Sequence, residues 1–123
     1  MHRPFPYHSA FGHLRFINVR DYYDFPLLYT CVNERRQFFV GLWVDTYRHG
    51  DIWLLVRISP QRLEHLTCQG IELRELFLEP EFGTVLKVVE DYGPDHPKYS
   101  ITVERWTPDR IPDDYLSVPG EYW

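Results

Sequence analysis

Two stretches decide the fold: Phe38-Phe39-Val40-Gly41-Leu42-Trp43-Val44-Asp45 and Ile52-Trp53-Leu54-Leu55-Val56-Arg57-Ile58. Both alternate with a period of two, as side chains do along a strand in a sheet. In the first, Phe38, Val40, Leu42 and Val44 face one way, and Phe39, Gly41, Trp43 and Asp45 the other. In the second, Ile52, Leu54, Val56 and Ile58 oppose Trp53, Leu55 and Arg57. The link Tyr47-Arg48-His49-Gly50-Asp51 is short and polar. A third apolar run, Leu27 to Val32, follows Pro26 and is joined through Asn33-Glu34-Arg35-Arg36. Short links make antiparallel neighbours, so the three runs predict a meander. Leu14 to Val19 is a candidate strand at its edge.

Working outward, the period then changes. Ser59-Pro60 supplies an N-cap and a proline at the first helical position. Leu63 and Leu66 follow at helical spacing, and Gly70 suits the residue after a helix. A second short helix carries Leu73, Leu76 and Phe77 on one stripe and stops at Pro80. Thr84 to Glu90 and Tyr99 to Trp106 then predict a terminal hairpin around Gly93-Pro94-Asp95-His96-Pro97. Strands, a helical insert and strands again predict an α+β fold. The expectation is an antiparallel sheet of about five strands with two short helices on one face. Residues 1–123 read as a single domain, with an N-terminal arm over 1–12 and an acidic, aromatic tail over 108–123.

Bulk numbers narrow the function. The 123 residues carry 13 Lys and Arg against 18 Asp and Glu, a net charge of −5. That balance disfavours a generic nucleic-acid binder. Hydrophobic residues make up 44% and aromatic residues 17%, which excludes a disordered chain. No apolar run approaches the ~18 residues of a membrane span. The first residues lack the apolar core of a secretory signal, so a cytoplasmic protein is expected. Cys31 and Cys68 show no CxxC spacing and read as two buried free thiols. Charge is uneven: residues 79–123 hold four basic and ten acidic side chains, while residues 1–78 are near balance.

The run Asp21-Tyr22-Tyr23-Asp24-Phe25-Pro26-Leu27-Leu28-Tyr29 leads to Phe39-Val40-Gly41-Leu42-Trp43-Val44-Asp45. After these come Trp53-Leu54-Leu55-Val56-Arg57-Ile58-Ser59 and Leu73-Arg74-Glu75-Leu76-Phe77. Together, over roughly residues 20–80, they resemble a family of small bacterial domains with no established activity. The resemblance implies a bacterial source and a compact fold, and it transfers no catalytic residue.

Candidate sites have plain structural readings beside them. Asp21 and Asp24 could bind a metal or act as an acid–base pair; the plainer reading is a turn capped by Asp before Pro26. Asp45, Asp51 and His49 could meet around a hairpin tip and hold a divalent ion; the plainer reading is a solvated tip. His2, His8 and His13 fit no zinc spacing and read as a surface arm. His65 falls at a helix border and His96 in a loop. No nucleophile elbow, P-loop, HExxH or GxGxxG is present. No cofactor is expected.

The large rings Phe39, Trp43 and Trp53 share one sheet face and need cover, from the arm, the tail or a partner. In the tail, Tyr115, Tyr122 and Trp123 could dock into a basic, aromatic-lined groove of another protein; the plainer reading is that Tyr115, Leu116 and Trp123 fold back over the protein's own sheet. Phe39, Trp43, Trp53, Tyr115, Tyr122 and Trp123 are the candidate partner-binding set. The preferred expectation is a non-enzymatic protein–protein interaction module: an accessory subunit, inhibitor or immunity-type protein with a basic partner, or a homodimer. The alternative is a small metal-assisted hydrolase using the carboxylates near the strand turns. Nucleic-acid binding through Arg35, Arg36 and Arg48 ranks last. No membrane partner is expected.

Overall fold

The computed structural model describes residues 3–23, 25–94, 99–116 and 123, with Tyr23 described by its backbone alone. These residues form a six-stranded antiparallel meander: β1 (Arg15–Tyr23), β2 (Phe25–Val32), β3 (Phe38–Tyr47), β4 (Gly50–Ile58), β5 (Val85–Asp91) and β6 (Ser100–Trp106). Helices α1 (Pro60–Gln69) and α2 (Leu73–Leu78) are inserted between β4 and β5. The fold is α+β with the sheet dominant. No helix among the described residues is long and apolar enough to cross a membrane.

The strand count exceeds the expected five because β1 is a full strand. Its alternation is hidden in the sequence by irregular register against β2. Phe16 pairs with Cys31 and Asn18 with Thr30, which leaves Ile17 extra; Val19 pairs with Tyr29 and Asp21 with Leu28, which leaves Arg20 extra. Each such irregularity breaks the period of two. Asp21 therefore lies within a strand and not in a capped turn, while Asp24 lies outside the described residues.

The helical insert follows its sequence signals. Ser59 Oγ accepts the Arg62 N–H at 3.1 Å, Pro60 occupies the first turn, and Gly70 closes α1 at φ 79°. Leu66 of α1 and Leu73, Leu76 and Phe77 of α2 are buried. They pack on Leu28, Val40, Leu54, Val56 and Ile58, which form one face of the sheet. Two 3₁₀ turns, Pro108–Arg110 and Asp113–Leu116, add Ile111 and Leu116 to this layer. Cys31 is buried, and Cys68 is exposed on α1, which corrects the expectation of two buried thiols. Leu63, Leu66 and Leu73 hold the apolar stripe of the helical layer, so Cys68 falls on its solvent side.

Candidate functional site

The opposite sheet face is covered by the N-terminal arm. Phe5, Phe11 and Leu14 are buried against Tyr29, Cys31, Phe39, Trp53, Leu55, Leu86 and Val88. Phe5 meets the Trp53 ring edge-on at 5.8 Å. Burying each such side chain contributes roughly 1.5–3 kcal/mol. The arm is anchored as well as packed. Phe11 and Gly12 donate their N–H groups to the His8 carbonyl, and the His13 N–H donates to Glu34 Oε2 at 2.7 Å. Gly12 has φ 76°, and a Cβ there would collide with Glu34. Residues 1–12 thus include a structural plug.

Phe39 and Trp53 lie beneath this plug and offer no surface to a partner. Trp43 is half-buried, and its indole N–H donates to Asp51 Oδ1 at 2.9 Å. The tail takes the other side of the sheet. Tyr115 and Trp123 pack on the helix-side core, and the Trp123 N–H donates to the Ile71 carbonyl at 3.1 Å. Tyr122 lies outside the described residues. The tail's described residues therefore do not fold over the Trp43 and Trp53 face; the arm fills that space.

One end of the arm-covered face is acidic and closed. Glu90 is buried and accepts from Trp53 Nε1 at 2.7 Å, Tyr99 Oη at 2.8 Å and Tyr92 Oη at 3.4 Å. Burial pushes its carboxyl above the usual range. The Tyr99 and Trp53 hydrogen bonds oppose that rise, and nearby Asp51 adds to it. Burial and the bond to Glu90 likewise push the Tyr99 phenol up. The buried Tyr29 hydroxyl has no hydrogen-bond partner among the described residues. Such a carboxyl can hold a proton above its ordinary range, with its donors already in place.

The strand-turn carboxylates do not gather. Trp43 pairs with Trp53, but Asp45 pairs with Ile52 and Thr46 with Asp51. This extra residue rotates Asp45 onto the helix side, where its charge helps raise the Tyr115 phenol, burial being the larger cause. Asp51 stays on the arm side with Trp43. His49 is exposed in the tight β3–β4 turn. Among the described residues, no group of three His, Cys, Asp or Glu side chains could hold a metal ion. The expected Asp45, Asp51 and His49 cluster is absent from the hairpin because the bulge separates its carboxylates.

The other end of the same face is basic and open. A recess of about 250 Å³ is lined by Arg35, Arg57 and Arg105, with Gln37, Thr84 and Phe82 beside them. Arg57 lies over the Phe82 ring at 4.2 Å, and Arg105 Nη1 donates to Thr84 Oγ1 at 3.1 Å. Arg35 projects from a turn built on buried Asn33, whose Oδ1 accepts the N–H groups of Arg35 and Gln37 at 3.0 and 2.9 Å. The trio Arg35, Arg36 and Arg48 is dispersed: Arg36 lines a recess on the other face, and Arg48 stacks by Tyr47 at the β3–β4 turn. Sequence reading missed the recess. The available signal was Arg57, a cation on an otherwise apolar strand face.

A third surface is β1 itself. Its side chains are exposed along almost the whole strand, with Ile17, Val19 and Tyr22 among them. Two recesses border it, of about 580 Å³ by Ile17, Val32, Phe38 and Leu63, and about 360 Å³ by Leu27, Leu42 and Leu73.

Residues 3–121 match DUF6575, a family of unknown function. The chain belongs to this family. The DUF6575 match spans nearly the whole sequence, so residues 3–12 of the arm, both helices and all six strands fall within it. It agrees with the resemblance seen over residues 20–80 to a family without established activity. No curated protein and no solved structure matches the chain.

Proposed function

We propose that this chain is a non-enzymatic protein-interaction module of the cytoplasm that docks a basic partner protein along β1. The carrying observation is the exposed apolar pair Ile17 and Val19 on an edge strand between two recesses. Apolar side chains clustered at an edge favour association. The three register shifts between β1 and β2 disfavour pairing of β1 with an identical edge, because they distort the strand and its backbone ladder. A net charge of −5 repels a second copy and attracts a basic protein over long range. At β1 itself Arg15 and Arg20 outnumber Asp21, so the contact there is apolar and not ionic. Cys31 and Cys68, both free, support a reducing compartment. An accessory, inhibitory or immunity-type role fits such a module.

The test is capture of a partner from the source organism's lysate by the wild-type chain and by Ile17→Asp, followed by light scattering of the purified chain. A basic protein retained by the wild type and lost with Ile17→Asp supports the reading. Equal capture by both, or a stable homodimer disrupted by the substitution, overturns it.

A further inference from the structure

We infer that the recess lined by Arg35, Arg57 and Arg105 is a binding site for a phosphoryl group. It lies on the arm-covered face, opposite the helix-side recesses that border β1, and stands independently of the docking proposal.

The first argument is charge. In a chain where acidic groups outnumber basic ones, three guanidinium groups line one small recess that has no carboxylate in its lining among the described residues. Arg57 and Arg105 make no ion pair among the described residues, and Arg35 has only a loose 3.8 Å approach to Glu34 at the exposed rim. The other oxygen of Glu34, Oε2, accepts the His13 N–H. Like charges held together with only one loose counter-charge at the rim are unfavourable, and an anion relieves that cost.

The second argument is preorganisation. Two of the cations are positioned by a neutral group, Phe82 under Arg57 and Thr84 against Arg105, while the Asn33 turn places the backbone of Arg35. Neutral supports hold the Arg57 and Arg105 forks without consuming their charge, which lowers the ordering cost of binding.

The third argument is stoichiometry. One planar guanidinium fork satisfies a carboxylate, whereas three forks match the several oxygens and higher charge of a phosphate monoester. At about 250 Å³ the recess is below the ~300 Å³ floor of ordinary ligand pockets, so it suits a compact anionic group. A nucleic-acid backbone would need a basic track, and residues 79–123 are strongly acidic.

The test titrates the full chain at matched ionic strength with inorganic phosphate, O-phosphoserine and acetate, followed by calorimetry. Saturable phosphate binding is expected, with acetate weaker. Arg57→Gln and Arg105→Gln should each weaken phosphate by about tenfold or more, and Arg57→Lys should fall between, since it keeps charge but loses the fork. Arg62→Gln, on the helical layer, should bind as the wild type does. Unchanged thermal unfolding of the variants shows that they fold. Tighter binding of O-phosphoserine than of inorganic phosphate assigns an esterified source, and the reverse assigns free phosphate; both uphold the site. Absence of saturable phosphate binding, acetate equal to phosphate, or undiminished binding by Arg57→Gln overturns it.

Discussion

The two ends of the arm-covered face resolve the same problem in opposite ways. At one end Glu90 is sealed in and surrounded by Trp53, Tyr92 and Tyr99, each donating to it. At the other, Arg35, Arg57 and Arg105 line an open recess, and neutral neighbours support Arg57 and Arg105. A buried charge must find its partners within the fold or lose its charge. An exposed charge can wait for a partner from solution. The acidic end therefore has the marks of structure, and the basic end the marks of a site.

The arm joins the two ends, so removing its anchor should damage both. Phe11 is fully buried at the centre of the arm-side core. Phe11→Ala is expected to cost about 3–5 kcal/mol, the range for a large buried ring. Urea unfolding measures the loss, and a red shift in tryptophan emission should report exposure of Trp53. Native-like emission together with wild-type stability would show that the arm is not the cover.

A smaller change should separate the ends. Asn33 donates to the Phe11 carbonyl at 3.0 Å and holds the turn that carries Arg35. Asn33→Ala is expected to cost about 2 kcal/mol, because it removes hydrogen bonds at a buried position. Phosphate binding should weaken with it, while the acidic end keeps its pH response. Loss of that response as well would mean the two ends are one cooperative unit.

The acidic end has its own signature. The folded carboxyl of Glu90 lies above its ordinary value of 4.5, so the native state holds a proton that the unfolded state has released. The contribution of Glu90 to stability is therefore greatest below about pH 4.5 and declines as pH rises through the raised value. Glu90→Gln lacks this titration. Wild-type stability relative to Glu90→Gln should fall with rising pH across that window, by less than either loss above. Parallel pH profiles would sink the assignment.

The fold was legible where a single physical signal dominated. Period-two alternation located β3 and β4, and Ser59-Pro60 with Gly70 bounded α1, because each depends on local chemistry. β1 was legible only in part, since its extra residues Ile17 and Arg20 scramble the alternation. The bulge that parts Asp45 from Asp51 was hidden for the same reason: a register shift leaves no mark in composition. The need to cover Phe39 and Trp53 was legible, but the choice of cover was not. Pro4, Pro6 and Gly12 mark a loop equally well whether it frays or plugs a face. The basic recess gathers residues from the β2–β3 turn, β4 and β6, and no spacing rule links these positions.

The smallest stability effect is expected where the proposed binding effect is large. Arg57→Gln loses the stacking on Phe82, a contact of about 0.5–1 kcal/mol at an exposed site. It also removes repulsion from Arg35 and Arg105, and the two changes offset one another. Net stability should stay within about 0.5 kcal/mol of wild type, as for most surface substitutions. Salt tells the two contributions apart. Raising ionic strength screens the repulsion more than the close stacking, so the wild type should gain on the variant as sodium chloride is added. Chloride itself can enter a basic recess, so the series needs repeating with a bulkier anion at equal ionic strength. A variant much less stable than wild type at every salt concentration would make Arg57 a structural residue, and the contrast between the closed and open ends would then collapse.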